Sequence, residues 1–283
     1  MPSPARTTQP ADHFSLNAVT RGLNGRKPPQ GPFSTGRPWT HEYEIVTLAS
    51  VRDEGAVKPV GLLRVAGTPD TGGRTRLEVS LDKPLPGNNR ERLQAELTCR
   101  NDALATPSRW DLEYRLEDSD GAALPGTDMR QNGQFDDRQL TVTTNGKTIR
   151  RPLEGPATIG WSLFHAVQRF DKAAHEPARP LRFTLIDHFD QIKPDQVLAF
   201  RKQATVSLGA YKAVKKVREQ LERGTITHHR LLDEGGTPTR MFAYEHLGDG
   251  ILPTIYWTDE AGRLLFVVSG LEAYLWNPQK TDA

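Results

Sequence analysis

GILPTIYWTDEAGRLLFVVSGLEAYLW, residues 250–276, is the stretch that decides the fold class. Two apolar runs flank an Asp-Glu-Ala-Gly turn, and with these four residues as the loop Trp257 pairs with Leu264. One face of this hairpin is entirely apolar, with Ile255 opposite Phe266, Trp257 opposite Leu264, and Val268 beyond them. The other face holds Thr254, Tyr256, Thr258, Arg263, Leu265 and Val267. The stretch therefore predicts a β-hairpin that belongs to the core.

The chain before it alternates mostly with period two from about residue 41. In residues 93–99 the apolar side chains fall on every second position, and residues 110–116 repeat the pattern. Strands with one polar face are typical of antiparallel sheets. Further strands are predicted at 41–51, 60–67, 76–81, 181–189, 197–209, 225–233 and 239–248.

Asn145-Gly146 predicts a two-residue hairpin turn, because both residue types tolerate positive φ. Pairing Thr144 with Lys147 places Val142 opposite Ile149, so the turn and the apolar pattern agree on the register.

The period changes near residue 156. The segment PATIGWSLFHAVQRF has apolar residues at steps of three and four, which predicts an amphipathic helix near 156–172 with Trp161 off the main stripe. Residues 211–223 are ambiguous between a second helix and a further strand. The helix is favoured because Gly224 would suit its C-terminal end.

Residues 1–40 differ in composition from the rest of the chain. They contain seven prolines and carry a net charge of +4, whereas the remainder carries −2. This composition predicts a disordered or extended basic tail. A nearly neutral body argues against nucleic acid as a partner.

Cys99 is the single cysteine, so neither an intrachain disulfide nor a cysteine-based metal site can form. No apolar run approaches the ~20 residues of a membrane-spanning helix. No signal peptide is visible in this chain.

A long antiparallel meander interrupted by a helix and ending on PTIYWTDEAGRLL (253–265) resembles the lipoprotein-carrier-like half-barrel proteins of the bacterial envelope and allied uncharacterised domains. In these proteins a curved sheet wraps a helix. The resemblance covers residues 41–276 and carries over no catalytic residue. It implies a periplasmic or secreted location and a concave sheet able to take a lipid, glycan or peptide.

Histidine pairs are the first candidates for a metal site. His228 and His229 are adjacent, so on a regular strand they point to opposite faces, and with His188 and His246 they match no common ligand spacing. We therefore predict no metal, no other cofactor, and surface or partly satisfied histidines. His165 is expected to be a satisfied histidine at a helix–sheet contact rather than a base.

Tyr244 and His246, with Arg240 to neutralise a uronate carboxylate, form a candidate catalytic set of the polysaccharide lyase type. Arg230 and Arg263 are alternatives for the arginine. The acidic clusters all coincide with predicted turns and are expected to be solvated.

Aromatic residues offer a second kind of site. Trp161, Tyr256 and Trp276 are candidate ligand-binding residues, and Trp276 is predicted to follow the last strand. Trp110 and Trp257 are assigned to inward, core-forming faces instead.

These observations predict a mainly β protein in which a long antiparallel meander forms a curved sheet or half-barrel packed on one or two helices. Residues 41–276 form one domain, between the tail at 1–40 and a C-terminal tail at 277–283. The expected function is non-enzymatic binding of an apolar or glycan ligand in the concavity. A lyase, or an interaction domain that works through a sheet edge or the basic tail, remains open, as does the oligomeric state.

Overall fold

The computed structural model describes residues 19, 23, 26–47, 59–136, 138–187, 191–208 and 237–278. The helix α1 spans Gly160–Arg169, and a short 3-10 turn spans Pro86–Asn88. The strands in chain order are β1 (Trp39–Thr47), β2 (Gly61–Pro69), β3 (Thr75–Pro84), β4 (Arg90–Cys99), β5 (Pro107–Glu117), β6 (Met129–Phe135), β7 (Gln139–Thr144), β8 (Lys147–Pro152), β9 (Ala157–Ile159), β10 (Leu181–Asp187), β11 (Gln191–Leu208), β12 (Thr237–Leu247), β13 (Thr254–Asp259), β14 (Leu264–Ser269) and β15 (Glu272–Trp276).

All fifteen strands belong to one sheet, with the order β8-β7-β6-β5-β4-β3-β2-β1-β15-β14-β13-β12-β11-β10-β9. The strands β1 and β15 pair in the middle of this order, and each arm is a meander that runs outward from them. Only β9 and β10 pair in parallel among these strands. The sheet is therefore antiparallel in character, as the sequence predicted.

The sheet curves around α1. Ser162 of α1 lies 3.7 Å (Oγ to Sγ) from Cys99 on β4, while the Phe164 ring centroid lies 5.8 Å from that of Tyr256 on β13. Six ladder spacings separate these strands, or roughly 29 Å in a flat sheet. A helix is only about 10 Å across, so both strands can touch it only if the sheet bends.

The curved sheet does not close into a barrel. The edge strand β9 approaches the β4–β5 connection, where the Thr158 hydroxyl donates to the carbonyl oxygen of Leu104 over 3.0 Å. No strand ladder joins these two places among the described strands. The half-barrel packed on a helix is thus confirmed, with α1 in its concavity.

A row of directly paired residues crosses five adjacent strands on the face that meets α1. Its members are Tyr43, Leu63, Leu81, Leu93 and Tyr114, from β1 to β5. The three leucines are at most 9% exposed, and burying each stabilises the fold by roughly 1.5–3 kcal/mol. The alternation predicted for 93–99 and 110–116 is confirmed by this row.

The Asn145-Gly146 turn forms as predicted. Both residues have positive φ, at 47° and 81°, and Val142 pairs with Ile149. The predicted helix also forms, but it begins at Gly160, because residues 157–159 pair with β10 as the short strand β9.

The predicted register of the closing hairpin is wrong. The Asp259 amide donates to the Arg263 carbonyl over 2.9 Å, which leaves a three-residue loop with Gly262 at φ 89°. This loop moves the pairing by one residue, and a bulge between Trp257 and Thr258 moves it by one more. Trp257 consequently pairs with Phe266.

Trp257 faces away from α1, contrary to the prediction, because its neighbour Tyr256 faces the helix. It is nevertheless fully buried. Trp276 belongs to β15 rather than following the last strand, and it is also buried. The polar strand β6 has too few apolar residues to be recognised from sequence.

Residues 26–38 form an irregular segment, here called the strap, which lies against the sheet. Its backbone is neither helical nor paired, and most of its side chains are exposed. Val19 and Leu23, earlier in the chain, are buried in the core. For residues 1–18 the disordered or extended tail stays a prediction.

Several predicted features lie outside the described residues. They are the helix or strand at 211–223, the strand at 225–233, Arg230, and the histidines His188, His228 and His229.

Replacing Gly133 by valine should destabilise the fold, because Trp110 lies directly over this glycine. A Cβ atom at Gly133 would come within 1.9 Å of the indole ring. We expect a loss of at least about 1–3 kcal/mol in the free energy of unfolding, measured by urea denaturation followed by circular dichroism. Gly160→Ala is the control, since nothing lies within 4 Å of its Cβ position. Equal midpoints for the two variants would contradict the close packing of Trp110.

Candidate functional site

Phe164 is the centre of an aromatic cluster that joins α1 to the sheet. The ring centroids of Tyr43, Trp161, Tyr256 and Tyr274 lie 5.7 to 5.9 Å from its own. The three tyrosines meet it edge to face, at interplanar angles of 79° to 87°. This geometry suits the charge distribution of aromatic rings and fixes the position of the helix in the concavity.

The end of the concavity where Lys83 of β3 and Glu272 of β15 lie, here called the first end, is lined by half-buried side chains. Trp161 and Tyr274 expose part of their rings there. Tyr114 and Met129, which pair with each other on β5 and β6, continue the same partly buried surface. Apolar groups at this end are therefore within reach of a ligand.

Ion pairs cross the first end. Lys83 Nζ lies 2.6 Å from a carboxylate oxygen of Glu272 and 3.5 Å from one of Glu91. Burial alone would lower the pKa of Lys83, but hydrogen bonds to Glu272 and the charges of both carboxylates outweigh it and raise that pKa. Lys83 reaches β15 across β2 and β1 because the sheet is curved and because Gly61 leaves the intervening position on β2 without a side chain.

The opposite end, here called the second end, contains a buried lysine that caps α1. Lys172 Nζ donates to the carbonyl oxygens of Val167 (2.7 Å) and Phe170 (2.9 Å). It also lies 5.0 Å from the ring centroid of Tyr244. Burial lowers the pKa of Lys172 to about 8.

The β13–β14 turn supplies further buried charge at the second end. The Asp259 carboxylate accepts the backbone N–H of Arg263 over 2.7 Å, and the two side chains approach to 3.5 Å. Burial raises the pKa of Asp259 against the opposing effect of Arg263. This pair fixes the turn and aims the Arg263 guanidinium across the opening.

Neutral histidines line the concavity. His41 Nδ1 lies 3.3 Å from the hydroxyl of Tyr43, which donates to the carbonyl of Leu264 over 3.1 Å. His165 stacks on Trp39 with centroids 5.9 Å apart. Burial lowers the pKa of His41 and of His165 to about 3, with Arg263 and Arg169 respectively adding to the effect.

His165 lies at the helix–sheet contact, as expected, but it is not satisfied. Its Nδ1 has no hydrogen-bond partner among the described residues, although the side chain is buried. The helix places this ring against Trp39 rather than against a polar group.

The three candidate catalytic residues lie on one face of β12 but occupy different surroundings. Tyr244 packs on Phe170, and burial raises the pKa of its phenol. His246 Nε2 lies 3.2 Å from Gln196 Oε1, and burial lowers the pKa of His246 to about 4. Arg240 is exposed at the strand end and pairs with Glu260. They do not converge on one groove.

Two of the three candidate ligand-binding residues meet at the aromatic cluster. Trp161 and Tyr256 both contact Phe164, but only Trp161 is partly exposed. Trp276 lies opposite Tyr43 on β1 and is buried.

Sequence reasoning missed the charged residues of the first end. Lys83, Glu91 and Glu272 each stand two positions from an inward-facing residue, so they continue the inward face of their strands. The available signal in the sequence was a charged residue near a strand end, at a position that the alternation assigns to the inward face.

Within the described ranges, no group of three or more histidine, cysteine, aspartate or glutamate side chains is arranged to hold a metal. None of the helices in that part of the chain combines the length and apolar character needed to cross a membrane.

Neither a protein-family model nor a curated protein matches the sequence. Among solved structures, the chain is similar to a β-barrel-like protein of domain of unknown function DUF1849 from Brucella abortus. The TM-score is 0.48 at 10% identity, over 86% of this chain and 95% of that chain. The likeness is too distant to indicate a function.

Stability should fall as the pH decreases below about 6.5. The pKa values of His41, His165 and His246 are lowered to about 3, 3 and 4, so between these values and 6.5 the unfolded chain binds more protons than the folded one. His165→Phe should flatten this dependence by about 1.4 kcal/mol per pH unit, measured by urea denaturation from pH 7 to pH 4.

The control is His175→Gln, because the His175 side chain is exposed. It should keep the pH dependence of the unchanged protein. A slope that His165→Phe leaves unaltered would show that His165 is protonated in the folded state.

Proposed function

We propose that the protein binds an apolar ligand at the first end of the concavity and catalyses no reaction on it. The observation that carries this proposal is the set of inward-facing, partly buried side chains at that end, namely Trp161, Tyr274, Tyr114 and Met129. In the row that leads from Tyr43 on β1 to Tyr114 on β5, the residues before Tyr114 are all buried. The four side chains at the first end are only half-buried. A ligand laid against them would bury the remaining apolar surface.

The ion pairs of Lys83 support a binding role for the first end. They lie over the apolar lining and leave one negative charge in excess among Lys83, Glu91 and Glu272. Their side chains remain 22% to 28% exposed, and partly exposed pairs of this kind contribute only about 0–1 kcal/mol. Such an interaction can open for a ligand without loss of the fold.

A glycan is the alternative occupant. Sugar rings stack on aromatic faces, and Trp161 is a half-buried aromatic side chain. The apolar ligand is favoured because Met129, which pairs with Tyr114, has no aromatic ring. A periplasmic or secreted location completes the proposal and is testable by fractionation of cells that make the protein.

Trp161→Ala should weaken binding of an apolar ligand by about tenfold, because the half-buried indole is the largest of the side chains proposed to contact it. The measurement is fluorescence titration with the neutral probe N-phenyl-1-naphthylamine, alongside native mass spectrometry of protein taken gently from its host. Leu62→Ala is the matched control, since Leu62 is 40% exposed on the outer face. A bare polypeptide mass together with no probe binding would contradict the proposal, and a bound glycan mass would replace the apolar ligand.

Lys83→Met should speed association of the same probe, because it removes both ion pairs that cross the first end. We expect an association rate severalfold higher by stopped-flow fluorescence. Arg76→Met, which removes an exposed ion pair with Glu96 elsewhere on the sheet, is the control. Equal rates for the two variants would place the entrance elsewhere.

A further inference from the structure

The strand β8 forms one edge of the fifteen-stranded sheet, and its outer side is open. Five of its six side chains are exposed, all but that of Ile149. Among the described strands, only β7 pairs with it. The other edge, β9, has three residues, two of them buried, and its Thr158 hydroxyl donates to the carbonyl oxygen of Leu104. Of the two edges, β8 is therefore the one that another strand can reach.

The register of β7 and β8 identifies the backbone groups on this open side. The two-residue turn between the strands places Lys147 in a hydrogen-bonded pair with β7. Such pairs alternate with non-hydrogen-bonded ones along an antiparallel ladder. The Leu153 amide donates to the carbonyl oxygen of Arg138 over 2.8 Å, as this alternation requires. The backbone N–H and C=O groups of Thr148 and Arg150 consequently point away from β7.

Three cations lie on β8 without a carboxylate beside them. Lys147, Arg150 and Arg151 are exposed, and none of them forms an ion pair with a residue that the structure describes. Their direct neighbours on β7 are the uncharged residues Thr144, Thr141 and Leu140. The open edge therefore presents three uncompensated positive charges along six residues.

The arginines of β3 to β6, by contrast, all have acidic partners. A carboxylate oxygen lies within 3.6 Å of each of Arg76, Arg90, Arg92, Arg109, Arg115 and Arg130. The uncompensated charge thus belongs to the edge strand rather than to the exposed face of this arm of the sheet. An acidic partner would supply at β8 what neighbouring strands supply elsewhere.

We propose that β8 binds an extended acidic segment of another protein, which adds to the sheet as a further antiparallel strand. Main-chain hydrogen bonds to Thr148 and Arg150 hold the segment, as in other cases where a peptide extends a sheet edge. Its carboxylates face Lys147, Arg150 and Arg151, and opposite charges directly across a ladder stabilise the pairing.

A second copy of this chain does not suit the same edge. In an antiparallel pair of β8 strands centred on Ile149, Lys147 of one copy would lie opposite Arg151 of the other. Like charges in that position are destabilising, and charged edge strands keep sheets from pairing with their own copies. The cations that repel a copy attract an acidic strand.

The register also defines the residue pattern of such a segment. Read antiparallel to β8, it carries glutamates opposite the three cations, a valine opposite Ile149 and a threonine opposite Thr148. Ile149 is the one partly buried side chain of β8 and packs against the core, so an apolar partner there extends the core. Pro152 has no N–H and limits pairing beyond this stretch.

The experiment titrates the unaltered chain with the labelled peptide Thr-Glu-Glu-Val-Thr-Glu-Thr, blocked at both ends, and follows fluorescence anisotropy and amide hydrogen exchange. The acidic peptide should slow exchange at Thr148 and Arg150. It should leave the Ile149 amide unchanged, because that amide is already bonded to β7. A control peptide with glutamine in place of each glutamate should bind about tenfold more weakly.

Variants of the edge separate the charges from the backbone groups. Replacing Lys147, Arg150 and Arg151 together by glutamine should weaken binding of the acidic peptide by about tenfold. Arg150→Pro should weaken it more than Arg150→Gln does, because proline also removes an N–H that donates to the segment. Arg130→Gln is the matched control, since Arg130 already pairs with Glu113, and it should bind as the unaltered chain does.

Four results would overturn the inference. If the acidic peptide does not bind, the cations serve only to keep the edge from pairing. If it binds without slowing exchange at Thr148 and Arg150, it lies elsewhere on the protein. If the glutamine peptide binds equally well, charge does not select the segment. If the two amides become protected as the concentration of the protein itself rises, a second copy occupies the edge. Exchange in the unaltered chain decides the matter even if a variant does not fold.

Discussion

The contact between Phe164 and the rings around it determines the shape of the molecule. Three tyrosines from β1, β13 and β15 point their rings at one side chain of α1. In a flat sheet these strands would present their rings side by side, and a single helical residue could not meet all of them. Each such pair adds about 0.5–1.5 kcal/mol beyond the burial of its area, so the curvature of the sheet and the seating of the helix stabilise each other.

Curvature also explains the glycines on the inward face. Bending a sheet brings the side chains of its concave face closer together than in a flat sheet, and large rings then fit only where a neighbour is small. Trp39 lies over Gly67 and Trp110 over Gly133, and a Cβ atom at either glycine would fall inside the ring's van der Waals contact distance. Gly61 leaves room for Lys83 in the same way, because Lys83 extends across the position where a side chain at residue 61 would stand.

The parts of the fold that follow from local pattern were predictable. The alternation in β4 and β5 and the turn at Asn145-Gly146 depend on neighbouring residues alone, and both formed as expected. The register of the closing hairpin depends on a bulge at Trp257, and both faces of β13 are buried, so its apolar pattern carries no information about which face meets the helix. The candidate sites also differ in whether neighbouring residues or the whole fold determine them. Trp161 and Tyr256 were recognisable as aromatic residues near a helix–sheet contact, whereas the Lys83–Glu272 pair depends on curvature that no local pattern contains.

The two ends of the concavity differ in how they are covered, and this has consequences for how the protein can move. The first end is crossed by side chains that belong to the sheet, so it can open by rotamer changes alone. The second end is covered by a segment of backbone, and opening it requires Arg263 to release two carbonyl oxygens and Phe33 to leave His41. The contacts that cover each end contribute little free energy compared with the burial of a core that includes Leu63, Leu77 and Leu97. Either end can therefore change state while the helix and the sheet keep their positions, which is the condition under which a rigid scaffold can take up and release a guest.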